Sequence, residues 1–372
     1  MSTKQETIKI MFSGGGTGGS VTPLLVVAKE LRMKLAEIDL LFVGTKNGPE
    51  KKLVSTYNLP GAPLRFKTIM AGKWRRYFSW QNFFDIFKII FAFFQSFILL
   101  SKERPKVVVS AGGFVSVPLA WAAYLQRIPV LIHQQDVRPG LANRLMAKTA
   151  CVISVTFAKS LSDYGNRAQW IGNPAPLKPS DVYIKQIRAQ YDLTGDKPLV
   201  VITGGGTGSA VINQLTWEKA DLLSQSAQIF HLTGTGKAPS RQRQEKLARL
   251  PDFKWREIID NEELLALIAA ADLVVSRSGL ATLTELCAFE KVAILIPIPA
   301  SHQEDNAAVL AKQQAALVLD QRKLQADTYC ENIITLLKEE KRRRVFKKNI
   351  AQVMKKDARV KMAEQILQLA QK

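Results

Sequence analysis

Strand-like and helix-like runs alternate along most of this chain. Strand-like apolar runs occur at 8–12, 40–43, 64–69, 107–110, 130–132 and 152–155. A second set follows at 199–203, 228–232, 254–257, 273–276, 293–297 and 317–319. Stretches with helical spacing lie between most of them. Strands that are apolar on both faces read as parallel sheets covered by helices on each side. Both sets open alike, with a β-branched run, a glycine turn and then a helical pattern. Residues 14–18 and 204–208 are the same five letters, Gly-Gly-Gly-Thr-Gly. The pattern predicts an α/β chain of two Rossmann-like, doubly wound domains in tandem. The joint falls in 172–179, Gly-Asn-Pro-Ala-Pro-Leu-Lys-Pro, where three prolines and a glycine stop regular structure. Such a pair is expected to enclose a cleft between the C-terminal edges of its sheets, where open α/β sheets bind ligands.

Two stretches break the alternation. Residues 74–100 are rich in tryptophan and phenylalanine, and their longest run without charge is 89–100. That run is shorter than the roughly 17–25 residues a membrane span needs. Two readings stand. One is a core helix on the first sheet. The other is a membrane-surface wedge with Trp74, Phe87 and Phe91 in the interface and Arg75 and Arg76 at phosphate level. One helix can do both with opposite faces. From Lys338 on the chain is strongly basic, which reads as a solvated helix face. The last pattern, 359–371, carries an apolar stripe (Ala363, Ile366, Leu367, Ala370) that should pack back on a domain.

Length and composition sharpen this picture. At 372 residues the chain suits two domains, and its 47% apolar content is that of a globular protein. A net charge of +20 points to an anionic partner: a membrane surface, a nucleic acid or a phosphorylated substrate. No nucleic-acid recognition motif accompanies the basic stretch, so that partner is disfavoured. Residues 1–6 are polar, with no signal-peptide core. Cys151, Cys287 and Cys330 are far apart, odd in number and without a C-x-x-C pair, which fits buried apolar positions in a reducing compartment.

The glycine turns are anion devices. Glycine lets backbone come close to a ligand, and N–H groups at a helix start favour phosphate. Gly14-x-Gly16-x-x-Gly19 fits the dinucleotide fingerprint literally, but no acid ends the second strand to hold a ribose. It also fits the start of a P-loop, but Ser20-Val21 stands where Lys-Ser/Thr is needed. A third turn, Ser110-Ala111-Gly112-Gly113, follows the run 107–109 and is positioned to share a diphosphate with the first. In the second half, Arg277-Ser278-Gly279-Leu280-Ala281-Thr282-Leu283-Thr284-Glu285 follows the run 273–276. A helix from Gly279 puts Thr282 and Glu285 on one face, the first for phosphate and the second for two ribose hydroxyls. Ser301 and Glu304 form a capping box, so His302 and Gln303 fall in a first turn suited to sugar hydroxyls.

Taken together, GGGTGGS, SAGGFVSVP, IHQQDVRPGLANRL, GGGTGS, SRSGLATLTE and IPASHQEDNA resemble, in this order, the motifs of the MurG glycosyltransferases. The resemblance runs from about residue 7 to about residue 370. It implies the GT-B architecture, with a first domain of 1–172 plus 358–372 and a second of 173–357. It implies transfer of N-acetylglucosamine from UDP-N-acetylglucosamine to a lipid-linked muramoyl-pentapeptide in peptidoglycan synthesis, at the cytoplasmic face of the membrane, by a peripheral protein needing no cofactor. On matching positions, donor contacts fall to Gly205, Gly206, Thr207, Ile259, Arg277, Ser278, Leu280, Ala281, Thr282, Glu285, His302 and Gln303. The acceptor's diphosphate falls to Gly15, Gly16, Thr17, Gly18, Gly19, Gly112, Gly113 and Asn143. The basic-rimmed apolar region at 74–94 matches the family's membrane face.

Three positions depart from the family. Ser20 replaces a usual histidine. His133-Gln134-Gln135-Asp136 replaces His-Glu-Gln-Asn, so the carboxylate has moved two places. Ala175-Pro176 stands where an arginine is common, with Lys178 the nearest cation. Direct displacement at the anomeric carbon inverts it and needs a general base. Ser20 is too weak alone, which leaves His133 and Asp136, with Asp136 favoured. No Asp-x-Asp motif occurs, so helix starts and backbone N–H groups are expected to carry the leaving diphosphate without metal. A related GT-B enzyme acting on another lipid, a UDP-sugar epimerase and a non-catalytic sugar-nucleotide binder remain alternatives.

Overall fold

The computed structural model describes residues 7–16, 18–70 and 80–371, with side chains from residue 87 onward in the helix that begins at Trp80. The chain divides into two compact units, Met1–Ala175 with Lys355–Lys372, and Pro176–Met354. These joints differ by three residues from 172/173 and 357/358. Buried Asn173 is hydrogen-bonded to His133 of the first unit. Gly172 takes φ +85° against Lys355, whose carbonyl would lie 2.5 Å from an added Cβ. The chain therefore leaves and re-enters the first unit at one place.

In the first unit the order is β1 (Ile8–Ser13), α1 (Thr22–Lys34), β2 (Ile38–Gly44), α2 (Pro49–Thr56), β3 (Arg65–Thr68), α3 (Trp80–Glu103) and β4 (Val107–Ser110). Then come α4 (Ser116–Leu125), β5 (Val130–Gln134), α5 (Leu141–Met146), β6 (Val152–Val155) and β7 (Ala168–Trp170). The sheet is parallel, in the order β3-β2-β1-β4-β5-β6-β7. β7 has no apolar run to announce it. It is a three-residue edge strand with partly exposed side chains. Alternation on β1 sends Ile10 and Phe12 to one core and Met11 to the other.

In the second unit the order is α6 (Asp181–Gln190), β8 (Leu199–Thr203), α7 (Ala210–Glu218), α8 (Ala220–Ser226), β9 (Gln228–Leu232), α9 (Arg241–Leu247) and β10 (Phe253–Arg256). Next are α10 (Asn261–Ala270), β11 (Leu273–Ser276), α11 (Leu280–Ala288), β12 (Ala293–Leu295), α12 (His302–Lys312) and β13 (Leu317–Val318). Two helices close it, α13 (Ala326–Lys338) and α14 (Glu340–Val353). Its sheet runs β10-β9-β8-β11-β12-β13, again parallel. Basic α14 buries Phe346, Ile350 and Val353 and turns its cations outward. The final helix, α15 (Ala358–Ala370), lies on α1 of the first unit. There it buries Met362, Ala363 and Ile366, and Arg359 pairs with Glu30 at 3.0 Å.

In both sheets strand order reverses beside the first strand of the unit, between β1 and β4 and between β8 and β11. Each Gly-Gly-Gly-Thr-Gly turn leaves the strand at that reversal, where two neighbouring loops diverge and leave room for a ligand.

Helix α3 has two faces. Ala92, Ser96 and Leu100 are buried, and Phe93 and Leu99 pack into the core beside α4. Phe87, Phe91, Phe94 and Ile98 are 51–68% exposed and recur at helical spacing along the opposite side. Among the described residues, no helix is long and apolar enough to cross a membrane. Trp74, Arg75 and Arg76 lie outside the described residues.

Candidate functional site

Three loops meet at the C-terminal edge of the first sheet. Gly16 has φ +86°, Gly112 +104° and Gly113 +98°, angles that disfavour any side chain. A Cβ on Gly113 would lie 2.6 Å from the Gly15 carbonyl oxygen and 2.8 Å from its nitrogen. The two glycine turns thus pack backbone on backbone. Ser116 Oγ sits 3.0 Å from Ser13 Oγ and 3.2 Å from the Gly112 carbonyl. From the third loop, Gln135 Nε2 donates to the Ala111 carbonyl at 3.0 Å. Asn143 Nδ2 donates to the His133 carbonyl at 3.4 Å, while its buried Oδ1 has no partner among the described residues. That oxygen would lie 3.1 Å from a Cβ on Gly112, so it is an open acceptor at the turn. Gly18 and Gly19 form a short 3-10 turn with Ser20 before α1, and Thr17 lies outside the described residues.

The proton acceptors sort by burial. His133 is fully buried; Ser154 Oγ lies 2.9 Å from Nδ1, and Nε2 donates to Asn173 Oδ1 at 2.9 Å. Burial lowers its pKa to about 4, against the raising effect of the Asn173 bond. The imidazole is therefore enclosed, with both ring nitrogens engaged by protein groups. Ser20 is also buried, and its Oγ lies 3.3 Å from the Gly15 carbonyl, so it closes the turn. Gln134 is buried, with Nε2 donating to Asp163 Oδ2 at 3.2 Å and to the carbonyls of Asp136 and Val137. Tyr164 donates its hydroxyl to Gln134 Oε1. A carboxylate at this position would face Asp163 and lose those donors, so the glutamine suits its neighbours. Asp136, one turn of loop onward, is half-buried.

Sequence reasoning missed Glu50. Pro49 and Glu50 open α2 as a usual helix start, which gives no sign of the outcome. The carboxylate is fully buried, and Oε1 accepts from the Thr45 N–H at 2.7 Å and hydroxyl at 2.5 Å. A Cβ on Gly15 would lie 2.9 Å from that oxygen, so Glu50 backs the first glycine turn.

The second unit builds its site from strand ends in the same way. Gly205 has φ +81°, and an added Cβ at Gly205 or Gly206 meets nothing within 4 Å. Gly208, at φ +68°, is pressed against the end of β9, with the Thr233 carbonyl 2.1 Å from an added Cβ. Lys237 Nζ donates to the carbonyls of Thr207 at 2.7 Å and Gly208 at 3.1 Å. Sequence reasoning missed this residue as well.

Beyond β11 the roles divide. Arg277 is buried; it donates to Ser209 Oγ at 2.7 Å and to the Ile296 carbonyl at 2.8 Å. Ser278 Oγ donates to the Gln303 carbonyl at 2.8 Å. Through these bonds both side chains brace the loops around them. Gly279 precedes α11 without a side-chain cap, so the first N–H groups of Leu280, Ala281 and Thr282 have no intrahelical acceptor. Glu285 lies one turn on, buried; its carboxylate has no hydrogen-bonded partner among the described residues, and burial alone raises its pKa to about 8. Ser301 caps α12 through the Gln303 N–H at 3.3 Å. Glu304 reaches back to the N–H of Ala300, which takes φ +55°, rather than to Ser301 itself. His302 is exposed, Gln303 half-buried and Ile259 half-buried in the loop after β10. The described donor-side candidates of the second unit therefore share one sheet edge, after β8, β10, β11 and β12.

Comparisons with known proteins agree across both units. Residues 10–154 match the glycosyltransferase family 28 N-terminal domain, and residues 199–366 match its C-terminal domain. A Clostridium perfringens protein named UDP-N-acetylglucosamine–N-acetylmuramyl-(pentapeptide) pyrophosphoryl-undecaprenol N-acetylglucosamine transferase is 34% identical over 335 residues, 89% of this chain and 90% of the relative. A Borreliella afzelii protein of the same name is 30% identical over 366 residues, 96% of each. The crystal structure of Acinetobacter baumannii MurG superposes with a TM-score of 0.72 at 23% identity, covering 97% of this chain and 99% of that one. A Neisseria meningitidis UDP-GlcNAc 2-epimerase shares the fold at TM-score 0.67 and 11% identity, covering 97% of this chain and all of that one. The chain belongs to glycosyltransferase family 28, among its MurG members.

Proposed function

We propose that this chain moves N-acetylglucosamine from UDP-N-acetylglucosamine to undecaprenyl-diphospho-muramoylpentapeptide in peptidoglycan synthesis. The observation that carries the reading is the match, across both units, to relatives named for that transfer at 30–34% identity. Glu285 supports the donor side. A buried carboxylate with no side-chain partner among the described residues suits a ribose that brings two hydroxyls. The open N–H groups at 280–282 and the uncrowded turn at 205–207 suit the diphosphate. Ile259, His302 and Gln303 stand on the same edge for uracil and sugar. On the first unit, the paired turns at 15–19 and 112–113, with Asn143 Oδ1 beside them, suit the acceptor's diphosphate.

In the proposed reaction the acceptor hydroxyl attacks the anomeric carbon opposite UDP and inverts it. The carbon–oxygen bond to the diphosphate breaks, and its electron pair stays on the diphosphate. Asp136, the carboxylate two positions beyond Gln134 in the loop after β5, receives the acceptor's proton. Backbone N–H groups and the start of α11 carry the leaving charge in a metal-independent step.

The exposed stripe Phe87, Phe91, Phe94 and Ile98 supports peripheral attachment to the cytoplasmic face of the membrane, where a lipid-linked acceptor resides. The test is purified protein with labelled donor and a lipid-linked muramoyl-pentapeptide analogue. The expected result is acceptor-dependent UDP release with a β-linked disaccharide lipid. Donor binding with no glycosylated acceptor would overturn the proposal in favour of a binder or epimerase.

A further inference from the structure

We infer that Lys237 is a ligand of the donor diphosphate and supplies a fixed positive charge to the leaving group. This rests on the reading of the second unit as the donor site. The loop after β9 is Thr233-Gly234-Thr235-Gly236-Lys237, with φ +94° at Gly234 and +70° at Gly236. Two left-handed glycines turn this loop sharply onto its neighbour. A Cβ on Gly234 would lie 2.5 Å from Gly208 Cα, so the two turns are in backbone contact. The Gly236 N–H is held by Glu257 Oε2 at 2.5 Å, and the Lys237 N–H by the Gly234 carbonyl at 3.1 Å. The lysine is thus positioned from its own backbone outward.

An ammonium carries three hydrogens. Two are accounted for by the Thr207 and Gly208 carbonyls. Those acceptors are neutral, so they orient the ammonium without cancelling its charge. Among the described residues, no carboxylate forms an ion pair with Lys237. Arg277 grips the same loop from the β11 side, but it is buried and directed at protein acceptors. Lys237 is half-buried, which leaves its third hydrogen for an oxygen above Gly205 and Gly206, where nothing lies within 4 Å of an added Cβ. When the bond from the anomeric carbon to the diphosphate oxygen breaks, both electrons remain on that oxygen. A preorganised cation there stabilises the charge that develops in the transition state.

Calorimetric titration of UDP and of uridine, on wild type, Lys237→Met and Lys237→Arg, tests this. Uridine lacks the diphosphate but keeps the base and ribose. Lys237→Met is expected to weaken UDP at least tenfold and leave uridine within twofold, and to lower kcat. Lys237→Arg, which keeps charge and donors, is expected to remain within about threefold of wild type for UDP, and raised salt should weaken UDP binding in wild type more than in Lys237→Met. Equal losses for UDP and uridine, or no loss of UDP, would overturn the inference, because the lysine would then only hold the loop or do nothing. A wild type that binds no UDP would overturn the donor reading itself, and the inference with it.

Discussion

Nε2 of His133 donates to Oδ1 of Asn173 at 2.9 Å, tying the end of β5 to the segment where the chain leaves the first unit. The bond assigns the tautomer, because Asn173 Oδ1 only accepts. Burial keeps the ring neutral, lowering its pKa from 6.5 to about 4 against the opposite pull of that bond. Such a group contributes stability that is whole above pH 6.5 and lost as pH falls toward 4, where the unfolded chain binds a proton that the fold does not. His231, buried and lowered to about 3, acts in the same direction. Glu285, raised to about 8, opposes the two histidines in this range, so urea unfolding between pH 7.5 and 4.5 is expected to show a net loss of about one proton's slope in wild type. His133→Gln should remove most of that slope, with Asn173 less well satisfied at every pH. An unchanged slope would mean that the imidazole is already charged in the fold.

Asp136→Asn is expected to lower kcat by roughly 10²–10⁴ while UDP affinity holds, the range a positioned general base supplies. Wild-type turnover in that variant would remove Asp136 from the mechanism. Gln134→Glu, which returns the family's carboxylate, should destabilise the protein rather than activate it. The new charge faces Asp163, and the donors to the Asp136 and Val137 carbonyls vanish.

Two glycines of one turn should answer differently to alanine. At Gly208, φ +68° and a carbonyl 2.1 Å from the added Cβ predict a loss of about 2 kcal/mol or more in unfolding free energy. At Gly206 nothing lies within 4 Å, so melting should be unchanged. There the methyl meets the ligand instead, and KM for the donor should rise. Matching responses in Tm and KM at the two positions would contradict this division of roles.

Glu285 sets stability against binding. Its pKa is raised from 4.5 to about 8, so the fold keeps a proton that the unfolded chain loses, and stability declines between those values as pH rises. Glu285→Gln is expected to raise the unliganded stability at pH 7 by up to about 3 kcal/mol. It should weaken UDP by about 10- to 100-fold through the lost charged acceptor. Wild-type UDP affinity should rise as pH passes 8, and the variant should be flat. A pH-independent wild type would argue against a carboxylate on the ribose.

Phe91→Ser with Phe94→Ser removes two rings that are 51% and 58% exposed. Melting should be nearly unaffected, since neither side chain is in the core. Flotation with anionic vesicles should fall about tenfold or more, given the apolar area withdrawn from the interface. Undiminished flotation by the folded variant would detach α3 from the membrane reading.

The sequence by itself determined the two parallel-sheet units, because a strand buried on both faces needs a continuous apolar run and a ligand turn needs glycine. Both requirements are local and therefore visible in order along the chain. It also determined the edge on which Glu285, Thr282 and the turn at 205–207 stand. Only the tertiary structure decided what each polar side chain faces. His133 and Asp136 are three positions apart, yet one is sealed between Ser154 and Asn173 while the other is half-buried. Arg277 carries a phosphate-binding group but directs it at Ser209 and at the main-chain carbonyls of Ile296 and Pro297, just past β12. Glu50 and Lys237 back glycine turns in contacts spanning about 30 residues or more, which no spacing rule reports. Burial and hydrogen-bond partnership are properties of segments distant in sequence and adjacent in space, so the chemistry of a side chain emerges only when the sheets assemble.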